Sequence, residues 1–179
     1  LVKMGYYDGI LFHRVINHFM IQAGDPESKN AEYGKMLGNG GPAYTIPAEF
    51  KPGLFHKKGV IAAARDNNPQ KASSGSQFYI VQGKVFTDED LDKVEITRLG
   101  GRKIPADQRE VYKTLGGTPH LDQNYTVFGE LVSGFDVLDK IAAVPTNKTT
   151  APDRPETDVK IISASLIKRP KEKKKKQKD

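Results

Sequence analysis

Apolar residues recur along the chain in short runs, not in long helical stripes. The runs are ILFHRVI (10–16), FMIQAG (19–24), GVIAAA (59–64), SQFYIVQ (76–82), YTVFGEL (125–131) and DVKIISASLI (158–167), punctuated by Gly, Pro and Asn. Runs of this length and spacing predict antiparallel strands arranged as a sandwich or barrel. The stretch GNGGPAYTIPAEFKPG (38–53) is too rich in Gly and Pro for regular structure and predicts a long surface loop.

Two patterns of helical period interrupt the strands. SGFDVLDKIAAV (133–144) sets Phe135, Leu138, Ile141 and Ala142 on one face, with Ser133 as the expected N-cap. The segment 87–115 reads as two short helices. The first opens on Thr87 as N-cap with three acidic residues in its first turn, which suits the helix dipole. The second starts at Pro105, carries Val111, Tyr112 and Leu115 on one side and stops at Gly116. The pair is expected to be a lid or packing element inserted in a β protein.

A length of 179 residues suits one domain with a sizeable core. No stretch reaches the roughly 18 apolar residues of a membrane span. The net charge of +6 is misleading until it is located. Residues 168–179, KRPKEKKKKQKD, hold eight basic and two acidic residues, and so the whole excess. The body is neutral and shows no basic face for nucleic acid. The tail is expected to be a solvated, disordered end, with non-specific attraction to acidic partners as the lesser reading. There is no cysteine, which excludes disulfides and a thiol nucleophile and tilts the compartment towards the periplasm over the cytoplasm.

Most catalytic signatures are missing. GxGxxG, GxxxxGK[ST], G-x-S-x-G and HExxH do not occur, and His13, His18, His56 and His120 are scattered. A metal site is not expected, and a reaction here needs no cofactor and no covalent intermediate. One position stands out: Arg14, a permanent cation in a run that otherwise reads as a buried strand, where an unpaired charge is costly.

Three blocks, GYYDGILFHRVINHFMIQAGD (5–25), HKKGVIAAARDNNPQKASSGSQFYIV (56–81) and HLDQNYTVFGELVSGFDVLDKI (120–141), closely resemble the cyclophilins, peptidyl-prolyl cis–trans isomerases, and occur in the family's order. The resemblance implies a mainly β fold: a cyclophilin-like closed antiparallel barrel of eight strands with capping helices. The isomerase domain would be 1–167, with the helical pair inserted at about 85–119 and the basic tail after it. Members usually carry two strands and a helix ahead of GYYDG, so the domain is expected to lack its N-terminal part. The helical insertion has a bacterial look.

The implied activity is rotation about Xaa–Pro bonds in proline-containing segments of client proteins, assisting their folding. Arg14 would be the charged donor, and Gln22 would bond the substrate backbone and help orient Arg14. Phe19, Met20, Phe78 and Leu121 would form the pocket for the proline ring. Gln77 and Ala64 would contact the extended peptide, and His120 and Tyr125 would wall the site. His120 stands where many members have Trp, Ala23 where a glycine is usual, and Gln123 in place of the glycine of an LDG turn. The alternative is a module that binds proline peptides with little turnover.

Overall fold

The computed structural model describes residues 1–168. The expected tail lies, apart from Lys168, outside the described residues. Seven strands form two antiparallel sheets. The larger has the order β1 (Arg14–Ile16), β2 (Met20–Ala23), β6 (Phe78–Val81), β4 (Val60–Ala63), β7 (Val127–Glu130). The smaller pairs β3 (Thr45–Ile46) with β5 (Ser73–Ser74). The 38–53 loop therefore carries a short strand of its own. Eight strands and a closed ring are not present among the described residues, where β1 and β7 are the edges of the larger sheet.

β2, β4, β6 and β7 are the central parts of their predicted runs, and β1 is the last three residues of the run 10–16. The run 158–167 is the exception. It bridges the core only through Leu11 and Lys160, with Phe12 N–H on the Val159 carbonyl at 2.9 Å and Ile161 N–H on that of Ile10 at 2.8 Å. Beyond that contact Ile162 and Ile167 stand exposed, so no strand continues.

Three α-helices complete the fold. α1 (Asp88–Thr97) opens with a reciprocal capping box in which Thr87 and Asp90 each bond the other's backbone N–H. α2 (Ala106–Thr114) follows Pro105, and Tyr112 is the buried anchor of its apolar side, while Leu115 faces water. α3 (Phe135–Ala142) buries Leu138 and Ala142 against the sheet. Its N-cap is Gly134, not Ser133: the turn into the helix needs the left-handed backbone, φ 86, that glycine adopts freely.

The larger sheet separates two apolar clusters. On one face Val15, Ile21, Ala23, Phe78 and Ile80 pack beneath α3 with Ile10 and Phe12. On the other, Met20, Val60, Ala62, Tyr79, Val81 and Val127 meet Leu121. α1 and α2 make a third cluster around Leu91, Ile104 and Tyr112. Ala23 sits in the strand at no conformational cost. The positive φ of that turn falls on Gly24, where a Cβ would strike the Ser76 carbonyl. Gln123 does occupy the left-handed region, φ 62.

Candidate active site

A tight turn at Asn17–Phe19 returns β1 onto β2. In register Arg14 lies opposite Gln22, Gln22 opposite Tyr79, and Tyr79 opposite Ala62. Directly paired residues share a sheet face, so these four form one row across β1, β2, β6 and β4. Met20 and Val81 lie on that face one step along. The strand can carry Arg14 because β1 is an edge strand and this face is open to water at its end. The arginine side chain is 44% exposed, with its Nε 3.7 Å from Asp153 Oδ2.

Arg14 overhangs a cavity of about 80 Å³ walled by Phe19, Met20, Tyr79, Leu121 and Tyr125, with Gln22, Ala64 and Arg65 at its margin. Phe19 is held in place by His120, which stacks on it with ring centroids 5.5 Å apart. Burial lowers the His120 pKa to about 4, so a neutral ring supports the wall. A wider groove of about 460 Å³ continues from Gln22 and Ala64 past Gln77 to the 38–45 loop.

The two glutamines are coupled to each other. Gln22 Nε2 donates to Gln77 Oε1 at 3.1 Å, and Gln77 Nε2 donates to the carbonyls of Gly38 and Gly40 at 2.8 Å. Gln22 therefore ties β2 to the loop wall and does not hold the guanidinium. The partner of Arg14 is Asp153, which also accepts the Val15 N–H on its backbone carbonyl at 2.8 Å.

Nine of the ten expected residues gather here, and Phe78 does not. It meets Tyr7 edge-on at 5.6 Å under α3, on the opposite face of β6. Adjacent strand residues point to opposite faces, so a slip of one position exchanges core and pocket. The aromatic that walls the cavity is Tyr79. Strand alternation along SQFYIV carries that signal once the facing β2 residues are known. Arg65 was also unforeseen. Its guanidinium lies 4.7 Å over the Tyr125 ring, and its Nε donates to the Asn124 carbonyl at 3.0 Å.

Behind the cavity runs a buried polar chain. Tyr79 O–H lies 2.9 Å from His56 Nε2, and His56 Nδ1 lies 2.9 Å from Asp122 Oδ1. Tyr112 O–H donates to Asp122 Oδ2 at 2.6 Å. In the tautomer whose Nδ1–H donates to Asp122, Nε2 accepts the hydrogen bond of the Tyr79 O–H. Burial, then the neighbouring Tyr125, raises the Tyr79 pKa; burial, then Asp122, raises that of Tyr112, so both phenols keep their protons. Because Asp122 follows Leu121 in the chain, the wall of the cavity is bolted to α2 through this network.

Arg14 thus stands at a small cavity with aromatic and aliphatic walls that lies beside a longer groove. The sequence matches the model of the family described as cyclophilin type peptidyl-prolyl cis-trans isomerase/CLD over residues 1–166. The chain belongs to this family, and its function is peptidyl-prolyl cis–trans isomerisation. It is 38% identical over 164 residues to a Staphylococcus epidermidis protein named as a peptidyl-prolyl cis-trans isomerase, covering 92% of this chain and 75% of the relative. It is 40% identical over 169 residues to a Streptococcus pyogenes serotype M6 protein named as a bifunctional phosphatase/peptidyl-prolyl cis-trans isomerase. That match covers 93% of this chain but only 32% of the longer relative. The fold is similar to that of a Cryptosporidium parvum cyclophilin crystallised in the presence of the dipeptide Ala-Pro: TM-score 0.62, 23% identity, 94% of this chain and 81% of that one. Among the described residues no helix is long and apolar enough to cross a membrane.

Proposed function

We propose that the Arg14 cavity is the catalytic site, in which a proline ring is held while its peptide bond rotates. The uncatalysed barrier is about 20 kcal/mol, because amide resonance is lost as the C–N bond twists. A catalyst lowers it by binding the twisted state better than either planar one. When resonance is lost, the proline nitrogen regains a lone pair and becomes a hydrogen-bond acceptor. A cationic donor beside it then gains an interaction that the ground state lacks, in a pocket partly shielded from water. Arg14 is that donor, reaching first the proline carbonyl and then the nitrogen. Phe19, Met20, Leu121 and Tyr79 hold the ring, while Gln22, Gln77 and Ala64 hold the chain before the proline. No group has to gain or lose a proton.

The observation that carries this reading is the position of Arg14 at a small cavity walled by Phe19, Met20 and Leu121. The decisive measurement is cis–trans exchange of an Xaa–Pro peptide by NMR, with the parent protein and with Arg14→Ala. Exchange should be accelerated by the parent and fall by about 10²–10³ in the variant, the range seen when a charge-stabilising donor is removed. A variant as fast as its parent would remove Arg14 from the mechanism.

We further read the larger sheet as the main part of the family's closed eight-stranded barrel, and α1 and α2 as an insertion in an isomerase domain spanning 1–167. The antiparallel order and the bridge between Leu11 and Lys160 support the first reading. Support for the second comes from the separate apolar cluster of the two helices. Clients would be proteins with accessible proline segments.

A further inference from the structure

Arg14 borders a second, larger cavity on its other side, of about 380 Å³, between the 35–39 loop and the 151–154 turn. Its charged walls are Arg14, Lys35, Arg65, Arg154 and a single acid, Asp153. Asp153 answers Arg14 at 3.7 Å and Lys148 at 3.9 Å. Arg154 is spent on Asp158 at 3.0 Å and on the carbonyls of Ala31, Glu32 and Lys35. Lys35 has only a half-exposed contact with Glu27 at 3.2 Å, which water screens. Arg65 bonds two carbonyls and no carboxylate among the described residues. Two cations thus face the cavity without a strong partner.

His13 adds an independent observation. It lines the cavity and is 4% exposed, yet neither ring nitrogen has a hydrogen-bond partner. Unsatisfied buried polar atoms are uncommon, and each calls for an explanation. Burial lowers the His13 pKa to about 4, so the ring is neutral and offers one donor and one acceptor. Both ring nitrogens lack accessible surface, so His13 is a neutral, buried part of the cavity wall and not a contact for the peptide.

Direction follows from chemistry. The carbonyl that Arg14 reaches belongs to proline, so the chain leaving proline runs past Arg14 into this cavity. The wider groove beside Gln77 takes the chain that precedes it. Lys35 and Arg65 line the same cavity as Arg14, so a chain leaving proline past Arg14 meets both cations. We propose that this cavity is the subsite for the residues following proline and that it selects an acidic side chain there. The preferred substrates are Xaa–Pro segments with Asp or Glu one or two places after the proline. This inference rests on the assignment of Arg14 and its pocket to proline rotation.

The test uses paired peptides that differ only in Glu or Gln at the first or second place after proline. Exchange rate and affinity are both read by NMR, in low and high salt. The Glu peptides should show a kcat/KM about two- to tenfold higher, a ratio that shrinks as salt screens the charges. Lys35→Glu should bring the ratio to one or below, and the Gln peptide in the same sample serves as the reference for folding. Equal rates and equal affinities for Glu and Gln peptides would overturn the subsite and leave the isomerase assignment standing. An Arg14→Ala protein as active as its parent would instead overturn the proline site, while the affinity ratio would still decide the acidic preference. A Glu preference untouched by Lys35→Glu would remove it from this cavity.

Discussion

The two faces of the larger sheet are built from the same strands and solve different problems. Beneath α3 the face is almost wholly apolar: Val15, Ile21, Ala23, Leu138 and Ala142 are buried and need no polar partners. The Arg14 face mixes Met20 and Val81 with Gln22, Tyr79 and the His56–Asp122–Tyr112 network. One face supplies stability, and the other spends polar side chains on shaping a cavity. The difference teaches that side-chain period, not strand identity, divides core from site in this molecule: Phe78 and Tyr79 are neighbours in sequence and belong to opposite functions.

Substitutions on the two faces should therefore separate activity from stability. Arg14→Ala, at a half-exposed side chain on an edge strand, should abolish most turnover yet leave the melting temperature nearly unchanged in a calorimetric scan. Leu138→Ala should do the reverse: a loss of about 2–5 kcal/mol in urea unfolding, with near-normal turnover in the molecules that remain folded. Equal damage from both to either property would erase the distinction between the faces.

A pH titration sharpens the comparison. His13 and His120 both lie on the site side, and both have folded pKa values lowered to about 4 by burial. Between about pH 6.5 and 4 the unfolded chain binds more protons at these positions, so stability rises with pH across that window and falls as the solution is acidified. His120→Phe should flatten part of the slope while keeping a ring stacked on Phe19. A melting temperature independent of pH over that range would show that neither histidine is held neutral by the fold.

The smallest effect concerns Gln123, which occupies the left-handed region at φ 62. Gln123→Gly should relieve that backbone and raise stability by about 0.5–1 kcal/mol in urea unfolding, without altering turnover. Lower stability would mean that the Gln123 side chain contributes more than its backbone costs.

Much of this arrangement was legible in the residues. Short apolar runs bounded by Gly, Pro and Asn located β2, β4, β6 and β7 to within a residue or two, and Thr87 with the acidic turn after it announced the start of α1. The FHRV and FMIQAGD motifs pointed to Arg14, Phe19, Met20 and Gln22, which the fold gathers round one cavity. What escaped was set by contacts between distant parts of the chain. The choice of Tyr79 over Phe78 depends on the β2–β6 register. The bond from His56 to Asp122 joins segments with no shared pattern. Residues 158–167 have strand-like composition, but among the described residues their backbone bonds only the irregular segment Asp8–Phe12 and forms one isolated bridge, between Leu11 and Lys160.

The hold of Asp153 on Arg14 has a consequence for the order in which a ribosome makes the molecule. The edge of β1 is tied down by the Asp153 and Val159 carbonyls, so its partners are synthesised near the opposite end of the chain. A nascent chain that has completed β1, β2, β4 and β6 has Phe19, Met20 and Tyr79 but not yet Leu121 or Tyr125, and nothing yet restrains the arginine. Closing so long a loop is entropically the last favourable step. The Arg14 cavity is therefore complete only when the late-made 151–154 turn has docked against β1.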